Sequence, residues 1–393
     1  MLPRAIIMVG ALFAIFGRPV VAQESVPART PHPYSESIPY KPRLFQVGSE
    51  KRSKDKNAKD ATPAPSQTPN PEQMPGSGPT VVEDSPITIP VSVFNLEGKF
   101  LSGLAKEDFK VFVDGPEARV LSVEQRAEPL NVLLVVDTSP SGSEVLESVK
   151  KLATKLIGEF SVTDKISVME FNGQLKELAP LSVDRDASIK AVSKLKMGDG
   201  TSLYDISRKI FGEMVPSLSG RTVVIVVTDG VDTTSRGTRY SEALAAAEMS
   251  GATVYPIYLD TLQYAQKGKV SMNGVPVFLQ QAVQDALARQ RPQASSERLA
   301  DDYTIGKVFL NDLVYLSGGR ASDANSLLQN RTPIAATIAE ELHQQYYVTF
   351  APVGSAFIGQ RKHLKVRLER PGLVLLARGS YIVGSPPSKV SAR

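Results

Sequence analysis

The 393-residue sequence contains no cysteine, which excludes disulfides, thiolate metal sites and a lipid carried on a cysteine. The fold must stand on its core and on any metal held by oxygen. Histidine is scarce: the three are His32, His343 and His363, and none lies in a motif with a nucleophile. There is no Gly-x-Ser-x-Gly elbow, no His-Glu-x-x-His zinc pattern and no Gly-x-x-x-x-Gly-Lys-Ser/Thr phosphate loop. His343 reads as a surface or helix-terminal residue, where a cation suits the helix dipole. Charge of one sign is not in large excess either, since 45 Lys and Arg against 41 Asp and Glu leave a net +4. No Lys/Arg stripe interleaved with aromatics stands outside the early polar segment, so nucleic-acid binding is not implied.

Long apolar runs are missing as well. Ala5 to Gly17 is uncharged and mostly apolar, but a bilayer span needs ~20 residues. Preceded by Arg4 and followed by Val20-Val21-Ala22, it reads as a secretory signal over residues 1–22, cut after Ala22. The chain is then exported, periplasmic or extracellular, with no transmembrane segment after cleavage. Residues 23–80 contain Lys51-Arg52-Ser53-Lys54-Asp55-Lys56 and Thr62-Pro63-Ala64-Pro65. Such a Pro- and Lys-rich stretch buries too little apolar surface to offset ordering entropy, and it reads as a disordered linker. Its role is a solvated spacer, with contact to an anionic surface or cell-wall polymer as the alternative.

What is present is a hydrophobic fraction of 42%, enough for a sizeable core, in a chain long enough for two domains and a tail. From Val81 onward Ile87, Ile89, Val91 and Val93 alternate with small or polar neighbours, as do Val111 and Val113, then Leu121 and Val123. Period two marks half-buried strands, with Leu96-Glu97-Gly98-Lys99 and Asp114-Gly115 as turns between them. Too few strands stand in 81–128 for an independent sandwich. Tyr346–Phe350, His363–Leu368 and Val374–Ala377, within 345–384, supply the remainder. The expected architecture is one β-sandwich of N- and C-terminal strands with an α/β domain, 129–344, inserted between them; 385–393 is a tail. Strand-like runs fall at 131–137, 165–171, 221–228 and 252–258. Helix-like runs fall at 144–159, 202–215, 240–250, 304–317 and 332–344. Fully apolar strands such as Val223 to Val227 require helices on both faces, which predicts a doubly wound, mostly parallel sheet. An insert, 261–302, carries a hairpin signal at Asn273-Gly274 and a short amphipathic helix pattern from Leu279 to Leu287. It reads either as a specificity element at the C-terminal edge of the sheet or as an excursion packed over it.

Three segments carry the chemistry. Val132–Val136 delivers Asp137-Thr138-Ser139-Pro140-Ser141 to a turn; Gly200-Thr201-Ser202-Leu203-Tyr204-Asp205 opens a helix; Val223–Val227 ends in Thr228-Asp229-Gly230. Carboxylates and hydroxyls without imidazole or thiolate suit a hard divalent cation. Taken singly, each segment has a structural alternative. Ser141 with Glu144, and Ser202 with Asp205, fit a capping box, and Asp229-Gly230 is an ordinary turn pair.

Together, and in this order, the segments resemble the von Willebrand factor type A domain and its metal-ion-dependent adhesion site. Gly103-Leu104, Asp108-Phe109, Leu316-Ser317-Gly318-Gly319-Arg320 and Arg370-Pro371-Gly372-Leu373 are similar to a bacterial secreted family related to it, so the resemblance spans about residues 81–384. It implies a Rossmann-like α/β fold in which Ser139, Ser141 and Thr201 coordinate through hydroxyls. Asp137 and Asp229 act directly or through water. The cation is Mg²⁺, or Mn²⁺ or Ca²⁺, and it engages a Glu or Asp of a partner protein, so the chain is expected to be an adhesion module and not an enzyme. The sequence departs from the family at Asp199, where a second Gly is common, and at Pro140, which favours an extended Ser139. A metal-free scaffold, and a Mg²⁺-dependent hydrolase recruiting Asp199 or Asp232, are the competing readings. Oligomeric state has no signal in the sequence.

Overall fold

The computed structural model describes residues 35–36, 81–82, 85–126, 128–262, 293–324, 334–354 and 356–384. The segments read as signal peptide, as most of the linker, as the insert's hairpin and helix, and as the tail lie outside the described residues.

The centre is a six-stranded sheet built on β7 (Leu130–Asp137), β8 (Lys165–Phe171), β9 (Leu175–Ser182), β10 (Arg221–Thr228), β11 (Thr253–Tyr258) and β12 (Ser322–Asp323). Its order is β12-β11-β10-β7-β8-β9, parallel throughout except where β9 turns back against β8. All eight residues of β7 and of β10 are buried. Successive side chains point to opposite faces, and the core divides accordingly. Val132, Leu134 and Val136 pack with α1 (Leu146–Glu159), α2 (Arg185–Ser193) and α6 (Ile334–Gln344). Leu133 and Val135 pack on the other face with α3 (Leu203–Lys209), α4 (Tyr240–Ser250) and α5 (Gln293–Ser317). The sheet is doubly wound, as its continuous apolar strands require.

The flanking β-sandwich interleaves the two ends of the chain. In one sheet β13 (Tyr346–Phe350) lies between β3 (Ile87–Phe94) and β6 (Val120–Gln125), with β16 (Val374–Ala377) outside β3. In the other, β15 (Arg361–Leu368) pairs β4 (Phe109–Val113) and β17 (Ser380–Ile382), and β4 pairs β5 (Glu117–Ala118). Asp114 and Gly115, both at positive φ (51 and 116), turn β4 into β5. The inner faces meet through Ile89, Val91, Val93, Val111, Val348, Val366 and their neighbours. Within the segment read as linker, β1 (Ser35–Glu36) pairs Leu368 and Arg367 of β15. Edge pairing through backbone alone needs no apolar periodicity, so it leaves no trace in the sequence.

Several boundaries differ from expectation. The helix expected from 144 begins as a 3₁₀ turn, Pro140–Val145, and becomes α1 only at Leu146. The helix expected over 202–215 is α3 followed by a π turn, Ile210–Met214. That expected from 304 starts at Gln293, because its first turns are too polar to show a stripe. β9 and α2, residues 175–193, carried no clear period.

Polar contacts tie the α/β domain to the sandwich. The buried Glu248 carboxylate of α4 accepts from Arg361 Nε at 2.9 Å and Nη2 at 2.6 Å, and Arg378 Nη2 donates to the Glu248 carbonyl at 2.8 Å. Gln345 Nε2 donates to Ser92 Oγ at 2.8 Å while its carbonyl accepts from Arg221.

Candidate metal site

Parallel register sets the site. Val136 of β7 is opposite Val227 of β10, and Asp137 is opposite Phe171 of β8, so all three strands end at one rim. Asp137, the last residue of β7, and Asp229, the first after β10, are both buried. Thr228 Oγ1 donates to Asp137 Oδ2 at 2.6 Å, and the Ser139 N–H donates to Asp137 Oδ1 at 2.8 Å. Ser139 is extended (φ −69, ψ 158) ahead of Pro140, as the sequence predicts. Its hydroxyl lies 3.1 Å from that of Ser141, and Ser141 Oγ donates to Asp229 Oδ2 at 2.7 Å. Asp137, Ser139, Ser141 and Asp229 thus form one connected cluster.

Thr201 is brought to the same rim by backbone. The Gly198 N–H donates to the Thr138 carbonyl at 2.9 Å, and the Ser202 N–H to the Asn172 carbonyl at 2.8 Å. The buried Thr201 accepts at its carbonyl from the Thr233 and Thr234 N–H groups, at 2.8 and 3.0 Å. Its segment therefore bridges the loops after β7, β8 and β10. Gly200 has φ +67, and a Cβ there would stand 2.6 Å from Thr234 Cγ2, so this close approach needs glycine.

The capping alternatives do not describe these serines. Ser141 precedes α1 by five positions and spends its hydroxyl proton on Asp229. Ser202 is the N-cap of α3 but bonds Thr234 Oγ1 at 2.7 Å, and the N–H of Tyr204 is taken by Asp232 Oδ2 at 2.9 Å. Asp205 accepts from the Arg236 and Gly237 N–H groups, at 3.0 and 3.1 Å, and so anchors the loop after Asp229. Asp199 is exposed at the rim.

Three residues of the cluster escaped the sequence reading: Thr228, Thr261 and Tyr303. Thr261 Oγ1 donates to Asp229 Oδ2 at 2.6 Å, and Tyr303 OH reaches the same oxygen at 3.3 Å. Thr228 was visible as the residue before Asp229; the other two come from the flanks of the insert, where no spacing marks them.

The donors on the two carboxylates are neutral hydroxyls and backbone N–H groups, which leave their negative charge uncompensated. Burial, and then the charge of Asp229, push the Asp137 carboxyl up to about 7. Two buried carboxylates with the hydroxyls of Ser139, Ser141, Thr228, Thr261 and Tyr303 gathered on them are a donor set for a hard cation. The residues present fit one: Asp137, Ser139, Ser141 and Thr201 would hold it, with Asp229 directly or through water. Bound there, it would supply positive charge beside the two carboxylates.

Residues 131–286 match the family model of the von Willebrand factor type A domain. The chain carries a von Willebrand factor type A domain. The matched stretch ends inside the insert, whereas the sheet of the A domain goes on through α5 and β12. Among solved structures, BatB from Bacteroides thetaiotaomicron is similar at 17% identity, over 55% of this chain and 99% of that one, with a TM-score of 0.37. A von Willebrand factor type A protein from Catenulispora acidiphila is similar at 11% identity over 75% of each chain, TM-score 0.38. The vWF domain of the type V pili tip protein Mfa5 from Porphyromonas gingivalis is similar at 12% identity, over 53% of this chain and 95% of that one, TM-score 0.36. None of the curated proteins matches the chain. Among the described residues no helix is long and apolar enough to cross a membrane.

Proposed function

We propose that the chain is an exported, non-enzymatic binding protein whose A domain uses a divalent cation, Mg²⁺ or a close substitute, to engage a carboxylate on a partner protein. The observation that carries the reading is the cluster itself: Asp137, Ser139, Ser141 and Asp229 joined by hydrogen bonds at the C-terminal rim of the parallel sheet. Hydroxyl ligands neutralise a cation less than a cage of carboxylates would, so a coordination position left open attracts an acidic group. One such contact orients a partner, and a stable complex would bury roughly 1,200–2,000 Å² around it.

The hydrolase alternative needs a general base and a second metal or basic clamp. Of its two candidates, Asp232 is committed to the Tyr204 N–H and to Ser235, and Asp199 is exposed, which favours binding over catalysis. The scaffold alternative predicts no metal effect and no consequence of Ser139→Ala for partner binding.

Mn²⁺ titration, read as loss of the free-ion electron paramagnetic resonance signal, tests the reading. The expected result is one site in the wild type, absent in Asp137→Ala. Acetate, the simplest carboxylate, should then displace metal-bound water and lower the water-proton relaxivity of bound Mn²⁺. No Mn²⁺ uptake would leave the scaffold reading; uptake without an acetate effect would end the claim of an acidic partner group.

A further inference from the structure

Asp229 is held by more than the three motif segments. Its Oδ1 accepts the Val231 N–H at 3.0 Å; its Oδ2 accepts from Ser141 Oγ at 2.7 Å, Thr261 Oγ1 at 2.6 Å and Tyr303 OH at 3.3 Å. A carboxylate oxygen offers about two lone-pair sites, so Oδ2 is crowded by three hydroxyls, while Oδ1 keeps one site for a cation or its water. Each hydroxyl has one proton: Thr261 spends its own on Asp229, so Tyr303 donates to Thr261 across 2.7 Å and its 3.3 Å approach to Asp229 is the weaker share of that same proton; both side chains are buried. With its rotation locked, Asp229 takes the Ser141 proton and leaves the Ser141 lone pairs facing away from it.

The backbone around the pair is built for this placement. Gly230 and Gly306 of α5 touch main chain to main chain: a Cβ on Gly230 would lie 2.8 Å from the Gly306 carbonyl, and one on Gly306 would lie 2.6 Å from the Gly230 carbonyl. Tyr303 stands three residues before Gly306 and so shares its helix face, and this apposition sets the height of the phenol over Asp229. Thr261 arrives separately. The Leu259 N–H donates to the Thr228 carbonyl at 2.9 Å, and the Thr261 N–H to the Leu259 carbonyl at 3.1 Å, which folds the chain leaving β11 back over the rim.

We infer that Tyr303 and Thr261 are positioning residues of the metal site, a fourth segment that fixes Asp229 and through it the Ser141 hydroxyl. The inference rests on the metal-binding reading above. Residues that orient ligands in this way typically change metal affinity about 10- to 100-fold when removed.

The test measures Mn²⁺ affinity by the free-ion resonance signal in the wild type, Tyr303→Phe, Thr261→Val and Thr261→Ser, with unfolding midpoints in EDTA taken alongside. Tyr303→Phe and Thr261→Val should each bind about tenfold more weakly, whereas Thr261→Ser, which restores a hydroxyl, should bind as the wild type does. The serine variant separates orientation from packing, and the Thr261 pair carries the test by itself if Tyr303→Phe does not fold. Wild-type affinity in the phenylalanine and valine variants would overturn the inference and leave metal binding standing. Equal weakening in Thr261→Ser and Thr261→Val would also overturn it, because the hydroxyl would not be the cause. No binding by the wild type would remove the metal reading itself, and this inference with it.

Discussion

Asp164 is the pin that aligns β7, the strand carrying Asp137, with the rest of the A domain. Its side chain is 0% exposed and pairs His343 Nε2 through Oδ2 at 2.9 Å. Oδ1 accepts the Leu130 N–H at 2.9 Å, and Oδ2 also accepts the Ser161 N–H at 2.9 Å. Asp164→Ala strands the buried Leu130 N–H, which costs about 1–3 kcal/mol. The loop N–H of Ser161 turns to water at little cost, and the half-exposed histidine contact adds about 1 kcal/mol or less. The total is about 3 kcal/mol. At about 2 °C per kcal/mol for a domain of this size, the midpoint should fall by about 6 °C. His343→Gln should lose only the smaller part.

The same change should alter the acid limb. Burial by itself raises the Asp164 carboxyl, but the His343, Leu130 and Ser161 hydrogen bonds outweigh it and hold the group below the ordinary value of 3.8. A folded value below the unfolded one means the contribution is present above pH 3.8 and lost as pH falls through the folded value. Wild type and Asp164→Ala should therefore differ fully at pH 7, and the charge-dependent part of the difference should shrink only as pH falls below 3.8. Thermal unfolding followed by circular dichroism across that range measures both effects. A midpoint loss under about 2 °C at neutral pH would refute the account of the buried Leu130 N–H.

Glu248→Gln removes the charge opposite Arg361 and leaves the buried Arg378 guanidinium without its nearest carboxylate; it should cost about 3 kcal/mol in urea unfolding. Gly306→Ala reverses the usual helix effect. Replacing a mid-helix glycine by alanine ordinarily gains up to about 1 kcal/mol, yet here the new Cβ meets the Gly230 carbonyl at 2.6 Å. The variant should lose about 1–3 kcal/mol as an overpacked site does. Ser141→Ala removes the hydroxyl from the buried Asp229 carboxylate, so it should lose about 1–3 kcal/mol, a metal-free midpoint lower by about 2–6 °C, while abolishing any rise produced by Mg²⁺.

The parts of the fold that were legible are those where burial acts on both sides of a strand or on every second residue. Val132–Val136 and Val223–Val227 are apolar throughout because helices cover both faces; Ile87 to Val93 alternates because its apolar residues meet the other sheet while the buried Ser92 between them bonds Gln345. The meeting of Asp137, Ser139, Ser141 and Asp229 at one rim, with the Thr201 backbone beside them, was legible because three short segments each follow a readable element. Lys176, Glu177 and Pro180 blurred β9, an edge strand with one exposed side. Asp164 looked like any turn aspartate, since nothing local announces that its partners are 34 and 179 residues away. Thr261 and Tyr303 are isolated side chains whose meeting at Asp229 depends on a glycine-to-glycine contact between distant segments. That kind of information exists only in the packing.

The most direct test of the central claim is thermal unfolding of the chain in EDTA and in millimolar Mg²⁺, with Asp137→Ala beside it. A ligand that binds only the folded state at about 100 times its Kd adds about 2.7 kcal/mol. The account predicts a midpoint rise of about 5 °C with Mg²⁺ in the wild type and none in Asp137→Ala. Equal midpoints with and without Mg²⁺ in the wild type, or the same rise in the variant, would contradict it.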